Sequence, residues 1–142
     1  MEYRRQTHAV YYTRYHVVVS TKYRRKILKP GMREYLNKCI KGVERRYPEI
    51  RIIKINSDQD HMHVLIEVAP KMSVSKAVNV IKSNTAKKIR DKFKWLEKVY
   101  WDNEGIWSVG YFVSTVGITE EVVQRYIEMQ GKEDSGQTKF EF

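Results

Sequence analysis

The chain has one cysteine, Cys39, in 142 residues. That excludes an intramolecular disulfide and any zinc site built from several thiolates, and it fits a reducing cytoplasm. No apolar stretch is long enough to span a bilayer, and the polar start Met1-Glu2-Tyr3-Arg4-Arg5 lacks the apolar core of a signal peptide. A membrane role is therefore not expected. Acidic residues are scarce: 17 Asp and Glu stand against 27 Lys and Arg, leaving a net charge of +10. Such a balance predicts a polyanionic partner, most often nucleic acid, but selects no function by itself. There is no internal repeat and no low-complexity segment. The length suits one domain with a real core and is short for two.

Proline and glycine are few, so those present mark out the elements. Residues 1–8 are polar and read as an arm. Tyr11 to Thr21 is rich in aromatic and β-branched residues and reads as a first strand. The basic cluster Lys22-Tyr23-Arg24-Arg25-Lys26 follows, either a solvated connection or a phosphate contact with a ring for base stacking. After Pro30-Gly31, Met32, Leu36, Cys39, Ile40, Val43 and Tyr47 recur at helical spacing, and Pro48 stops that helix. Ile50 to Asn56 is a second strand, and Ser57-Asp58-Gln59 turns into a third that ends at Pro70. Ser73 caps a long helix reaching about Phe93. Its outer stripe carries Lys76, Lys87 and Arg90 without an acidic member until Asp91, as a solvated face or a backbone-tracking one would. Residues 94–105 look irregular. Ile106 to Thr115 reads as a fourth strand bent at Gly110, Thr119 caps a last helix, and Gly131 closes it before a polar tail over 132–142.

The order strand, helix, strand, strand, helix, strand, helix predicts an α+β fold of the ferredoxin-like (RRM-like) split βαβ type. Its antiparallel four-stranded sheet carries two helices on one face, over 9–115, with an added C-terminal helix over 119–131. In that topology the first and third strands are central. The third strand contains His61-Met62-His63. Because side chains alternate along a strand, His61, His63, Leu65 and Glu67 share one face while Met62, Val64, Ile66 and Val68 share the apolar other. The two imidazoles then project from the open face, where they could share a divalent ion or simply bond to neighbours. Asp60 precedes them, able to orient one ring or to close the turn. His16, on the adjoining strand, is a further candidate for metal or phosphate contact. Glu67 lies too far along the strand to ligate with them.

On the last helix, Tyr126 and Gln130 are four residues apart and share a face. Taken alone this is an ordinary half-core pattern. Joined to the histidine pair and a basic surface, it resembles the HUH single-strand endonucleases, and more closely the single-tyrosine transposases of the IS200/IS605 insertion-sequence family. The resemblance runs from about Tyr15 to Gly131. It takes in Tyr15-His16, Thr21 to Arg25, Asp60 to His63, Trp107 to Gly117, and Tyr126 with Gln130.

The resemblance implies that Tyr126 is the nucleophile, making a 5′-phosphotyrosine and releasing a 3′-OH, and that a later 3′-OH attack rejoins strands. It implies Mg²⁺ or Mn²⁺ held by His61, His63 and Gln130, a single-stranded DNA partner with hairpin ends, and a homodimer whose subunits can share active sites. A cytoplasmic, nucleoid-associated bacterial or archaeal protein is the matching expectation. Lys22, Arg24, Arg25, Lys76, Lys87 and Arg90 are the expected DNA contacts. Other readings are an HUH replication initiator or relaxase-type nickase, and a non-catalytic RRM-like nucleic-acid-binding module.

Overall fold

A computed structural model describes residues 3–101 and 105–136. The expectations placed on 1–2, 102–104 and 137–142 lie outside it. The β-branched run expected to open the sheet forms β3 (Arg14–Ser20), and the two runs around the Asp58 turn form β4 (Ile50–Ser57) and β5 (His61–Val68). With β6 (Phe112–Ser114) they make an antiparallel sheet in the order β4-β5-β3-β6. β3 and β5, the first and third strands of the core pattern, are central, as the split βαβ topology requires.

Helices α1 (Pro30–Arg46) and α2 (Val74–Lys92) pack on one face of that sheet. α1 begins with proline at its first position, where a missing N–H costs nothing. Ser73 caps α2 by accepting from the Lys76 amide at 3.0 Å. Between helices and sheet lie Leu36, Ile40, Val64, Ile66, Val78 and Ile89, each all but inaccessible to water. Each such side chain contributes about 1.5–3 kcal/mol by leaving water. Cys39 is buried in this layer as a small apolar residue.

Four expectations change, the last of them at the end of the final helix. Residues of the presumed arm form a hairpin, β1 (Arg4–Gln6) with β2 (Ala9–Tyr11), which takes Tyr11 away from the sheet strand. It is held down partly by charge: Glu67, fully buried on β5, pairs with Arg14 at 3.2 Å and with Arg4 of the hairpin at 3.8 Å. The fourth strand is broken. Trp107 makes only an isolated bridge to Thr21, and regular pairing with β3 covers Phe112–Ser114 alone. The stretch presumed irregular holds a short helix, α3 (Leu96–Val99), whose Leu96 is buried.

The last helix, α4 (Glu120–Asp134), is capped by Thr119 as expected, but it runs through Gly131 instead of stopping there. The left-handed residue that ends it is Gly136, at φ 72°. α4 lies on the open face of the sheet, where Val123, Tyr126 and Ile127 bury themselves against Val18 with Phe112 and Ile118 around them. Among the described residues, no helix is long and apolar enough to cross a membrane.

Candidate active site

Alternation along β5 places the two imidazoles where the sequence puts them, opposite the helices. His61 is buried and His63 half-buried. Asp60 does orient a ring: its Oδ1 lies 2.9 Å from His61 Nδ1. A carboxylate there fixes the ring with Nδ1 as donor and leaves Nε2 as the acceptor or ligand. His16 stands diagonally across from His63 on β3, and its Nδ1 is 3.1 Å from His63 Nε2. Burial first, then the neighbouring His16 and His61, hold His63 below the ordinary histidine range, with Glu120 of α4 opposing. His63 is therefore neutral at pH 7, the form a metal ligand needs.

The helix brings the other half. Val18 faces His63 across the β3–β5 ladder, and Tyr126 packs on Val18, with its ring centroid 5.8 Å from that of Phe112. One turn on, Gln130 Oε1 accepts the Tyr126 hydroxyl at 3.2 Å. Burial raises the Tyr126 pKa well above that of a free phenol, and the nearby Asp134 and Glu133 charges add to the rise. At neutral pH it is a protonated phenol. Gly110, in the gap of the broken strand, makes room for this pair: a Cβ there would stand 2.6 Å from Gln130 Oε1 and 3.6 Å from the Tyr126 hydroxyl. That close approach explains why the strand yields at Gly110.

The C-terminal half of α4 then meets the turn at 21–25. Gly131 lies against the Arg24 side chain, so close that a Cβ would fall 2.4 Å from Arg24 Cδ. Arg24 Nε in turn is 3.8 Å from Asp60 Oδ2. A cavity of about 470 Å³ bounded by Tyr23, Arg24, Lys26, Asp60, Glu128, Gly131 and Lys132 opens at this junction, beside the residue that orients His61. Tyr23 and Arg24 both have positive φ, 60° and 54°, an uncommon conformation for such residues.

Among the described residues, no three His, Cys, Asp or Glu side chains form a group that could hold a metal. An ion here would therefore need oxygen donors of another kind in addition to imidazole nitrogens, and the amide oxygen of Gln130 is one such donor. The donors fit that use: Asp60 occupies His61 Nδ1 and leaves Nε2, His63 is neutral, and Gln130 Oε1 is an acceptor shared with the Tyr126 hydroxyl while its Nε2 faces Asp134. Two imidazoles and an amide oxygen, with no thiolate, suit Mg²⁺ or Mn²⁺ better than structural zinc.

The family model described as "Transposase IS200 like" matches residues 9–130. The chain belongs to that family. It is 32% identical over 127 residues to the transposase for insertion sequence element IS200 of Salmonella typhimurium (strain LT2), spanning 89% of this chain and 82% of that protein. Its identity to the ISDra2 transposase TnpA of Deinococcus radiodurans is 25% over 122 residues, 85% of this chain and 86% of the relative. Two solved structures share the fold. One, a candidate transposase of Deinococcus radiodurans R1, superposes with a TM-score of 0.77 at 22% identity, covering 89% of this chain and 97% of that one. The other, a REP-associated tyrosine transposase bound to a REP hairpin, gives 0.51 at 18% identity, over 97% and 76% respectively. Membership makes the coarse function transposition, in place of replication initiation or plain nucleic-acid binding.

In this IS200-like transposase, part of the basic surface is already engaged within the chain. Arg25 donates to the Val99 carbonyl and lies over the Tyr23 and Tyr100 rings at 5.1 and 5.3 Å. Arg90 Nη1 donates to the Gly105 carbonyl at 3.2 Å. Lys22 is 3.9 Å from Asp134. Lys76 and Lys87 are exposed on α2. Sequence reasoning took Gly110 only as a bend in a strand and missed Asp134. Asp134 was detectable, since 126, 130 and 134 share one helical face, but reading Gly131 as a helix stop hid it.

Proposed function

We propose that this transposase cuts and rejoins single-stranded DNA through Tyr126, with His61, His63 and Gln130 as the ligands of a divalent ion. The observation that carries the reading is the placement of α4 on the histidine face of the sheet, with the Tyr126 hydroxyl directed at Gln130 Oε1 and Glu120 close enough to act on His63. In the reaction, Tyr126 Oη bonds to the scissile phosphorus and the P–O3′ bond breaks. The phenol loses its proton as it attacks, and the departing oxygen ends as a 3′-OH. The enzyme keeps a 5′-phosphotyrosine, and a 3′-OH attacking that linkage reverses the exchange and joins strands without a nucleotide cofactor. Bound Mg²⁺ or Mn²⁺ would polarise the phosphate and offset its growing charge.

The chain's own residues set the rest. Asp60 holds the His61 tautomer. Val18, Phe112 and Ile127 fix the Tyr126 ring, so the nucleophile is placed before substrate arrives. The open junction carries Arg24, Lys26 and Lys132 against Asp60 and Glu128, a small positive excess along which a DNA backbone can pass. One relative's structure holds a REP hairpin, and a hairpin-bearing single strand is the substrate we infer here, acted on by a homodimer.

Oligonucleotides copying the ends of the element that carries the gene test this. With Mg²⁺, single strands should form a protein–DNA adduct that survives denaturation, and the matching duplex should not. EDTA and His61→Ala should each abolish it. An adduct that forms equally in EDTA would overturn the metal-assisted mechanism.

A further inference from the structure

Asp134 lies one turn beyond Gln130 on α4, outside the span that the family model matches, and its side chain is only 3% exposed. Its two oxygens serve different partners. Oδ2 accepts the backbone N–H of Tyr23 at 3.0 Å and the Ser108 hydroxyl at 2.5 Å. Oδ1 accepts Gln130 Nε2 at 3.2 Å and lies 3.9 Å from Lys22 Nζ.

The Tyr23 donor is backbone, held in a turn with φ 60°, so Oδ2 must remain an acceptor. A carboxylate is the side chain that also accepts at its second oxygen. The amide of Gln130 then has one arrangement. Its NH₂ faces Asp134, and its carbonyl oxygen faces Tyr126 and Gly110. The opposite arrangement would aim N–H groups at the place where an ion or phosphate charge must be met.

We propose that Asp134 is the positioning residue that sets the polarity of the Gln130 amide and so keeps Oε1, not Nε2, turned into the active site. This rests on the proposed use of Gln130 as a ligand. The chain Tyr126–Gln130–Asp134–Tyr23 also ties that polarity to the positive-φ turn that borders the cavity of about 470 Å³.

Asp134→Asn separates polarity from packing, because the side chain keeps its size. The fixed Tyr23 N–H takes the Asn oxygen, which leaves the Asn NH₂ facing residue 130. The Gln130 amide must turn over to accept from it. Adding Gln130→Glu to the same chain supplies an acceptor toward position 134 and a second oxygen toward the site. The probe is Mn²⁺ alone, followed by calorimetry without DNA, beside the ¹⁵N side-chain amide signal of Gln130, identified by its loss in Gln130→Glu. Asp134→Asn should displace that signal and weaken Mn²⁺ binding by about 10–100-fold, the usual cost of losing a ligand's orienting partner. The double variant should recover most of the affinity while backbone spectra stay native.

An undisplaced Gln130 signal in Asp134→Asn, or a double variant no better than Asp134→Asn, overturns the proposal. Failure of the underlying reading looks different. If His61→Ala binds Mn²⁺ as tightly as the unaltered chain, the metal site is wrong, and the Gln130 signal alone decides what Asp134 does.

Discussion

The Tyr126 hydroxyl donates to Gln130 Oε1 at 3.2 Å, across one turn of α4. Two side chains assigned different duties, attack and ligation, are thus held in each other's first contact. Anything that moves the amide moves an acceptor of the phenol, so the pair is expected to respond to substitution as a unit.

Gly110→Ala tests the clearance around them. The new Cβ would lie 2.6 Å from Gln130 Oε1, the far end of a side chain that can shift. Stability should fall by only about 1 kcal/mol, the low end for overpacking. Adduct formation should fall by about 10–100-fold as the amide is displaced. Unaltered cleavage with native melting would show that the position of Oε1 does not matter.

Asp60→Asn addresses the His61 ring. The carboxylate now 2.9 Å from Nδ1 becomes an amide that can present either donor or acceptor. Mn²⁺ affinity, measured by calorimetry, should drop by about 10–100-fold. The backbone carbonyl of Asp60, which accepts from the Thr21 amide at 2.9 Å, is untouched, so the fold should survive. Equal affinity would remove Asp60 from the site.

The attachment of α4 rests on a small apolar cluster, separate from the main core. Ile127→Ala should cost about 2–5 kcal/mol at that cluster. The other ties, from Asp134 to Tyr23 and Ser108, hold the C-terminal end of the same helix, so the loss should stay within it. Hydrogen exchange should accelerate in 120–134 while β3 and β5 amides keep their protection. Uniform loss across the chain would mean that α4 and the sheet unfold together.

Alkaline pH should weaken the fold through its buried tyrosines. Burial pushes the Tyr100 phenol up to about 12, the Arg25 charge nearby opposing. A folded-state pKa above the unfolded value of about 10 means that stability is fully present below pH 10 and is lost as pH rises toward 12. Melting temperatures recorded across that window should fall. Tyr100→Phe should melt lower at pH 8, having lost its bond to the Lys22 carbonyl, and show a shallower decline above pH 10. A parallel decline would exclude Tyr100 as a source.

Most of the fold was legible because periodicity reports burial. The alternation in 61–68 and the stripes of α1 and α2 are direct images of the core they face. The pairing of Tyr126 with Gln130 was legible for the same reason. What stayed hidden depended on contacts between distant segments. The break in the fourth strand falls where Gly110 meets Gln130, twenty residues later, and regular pairing begins only at Phe112. Gly131 reads as a helix stop, yet its missing Cβ serves to admit Arg24. The basic run at 22–26 reads as a solvated connection or a phosphate contact, and nothing in it announces that Lys22 and Arg24 pair with Asp134 and Asp60. Charge in a sequence shows how much is present, not where it is spent.

The proposed cleavage leaves Tyr126 Oη bonded to DNA. Mixing the transposase with a hairpin-bearing single-stranded end and Mg²⁺, digesting the denatured adduct and sequencing the modified peptide by mass spectrometry tests it directly. A nucleotide is expected on Tyr126, with no adduct from Tyr126→Phe, which keeps the ring in its place against Val18 and Phe112. A modified residue elsewhere, or an adduct of equal yield from Tyr126→Phe, would contradict that assignment.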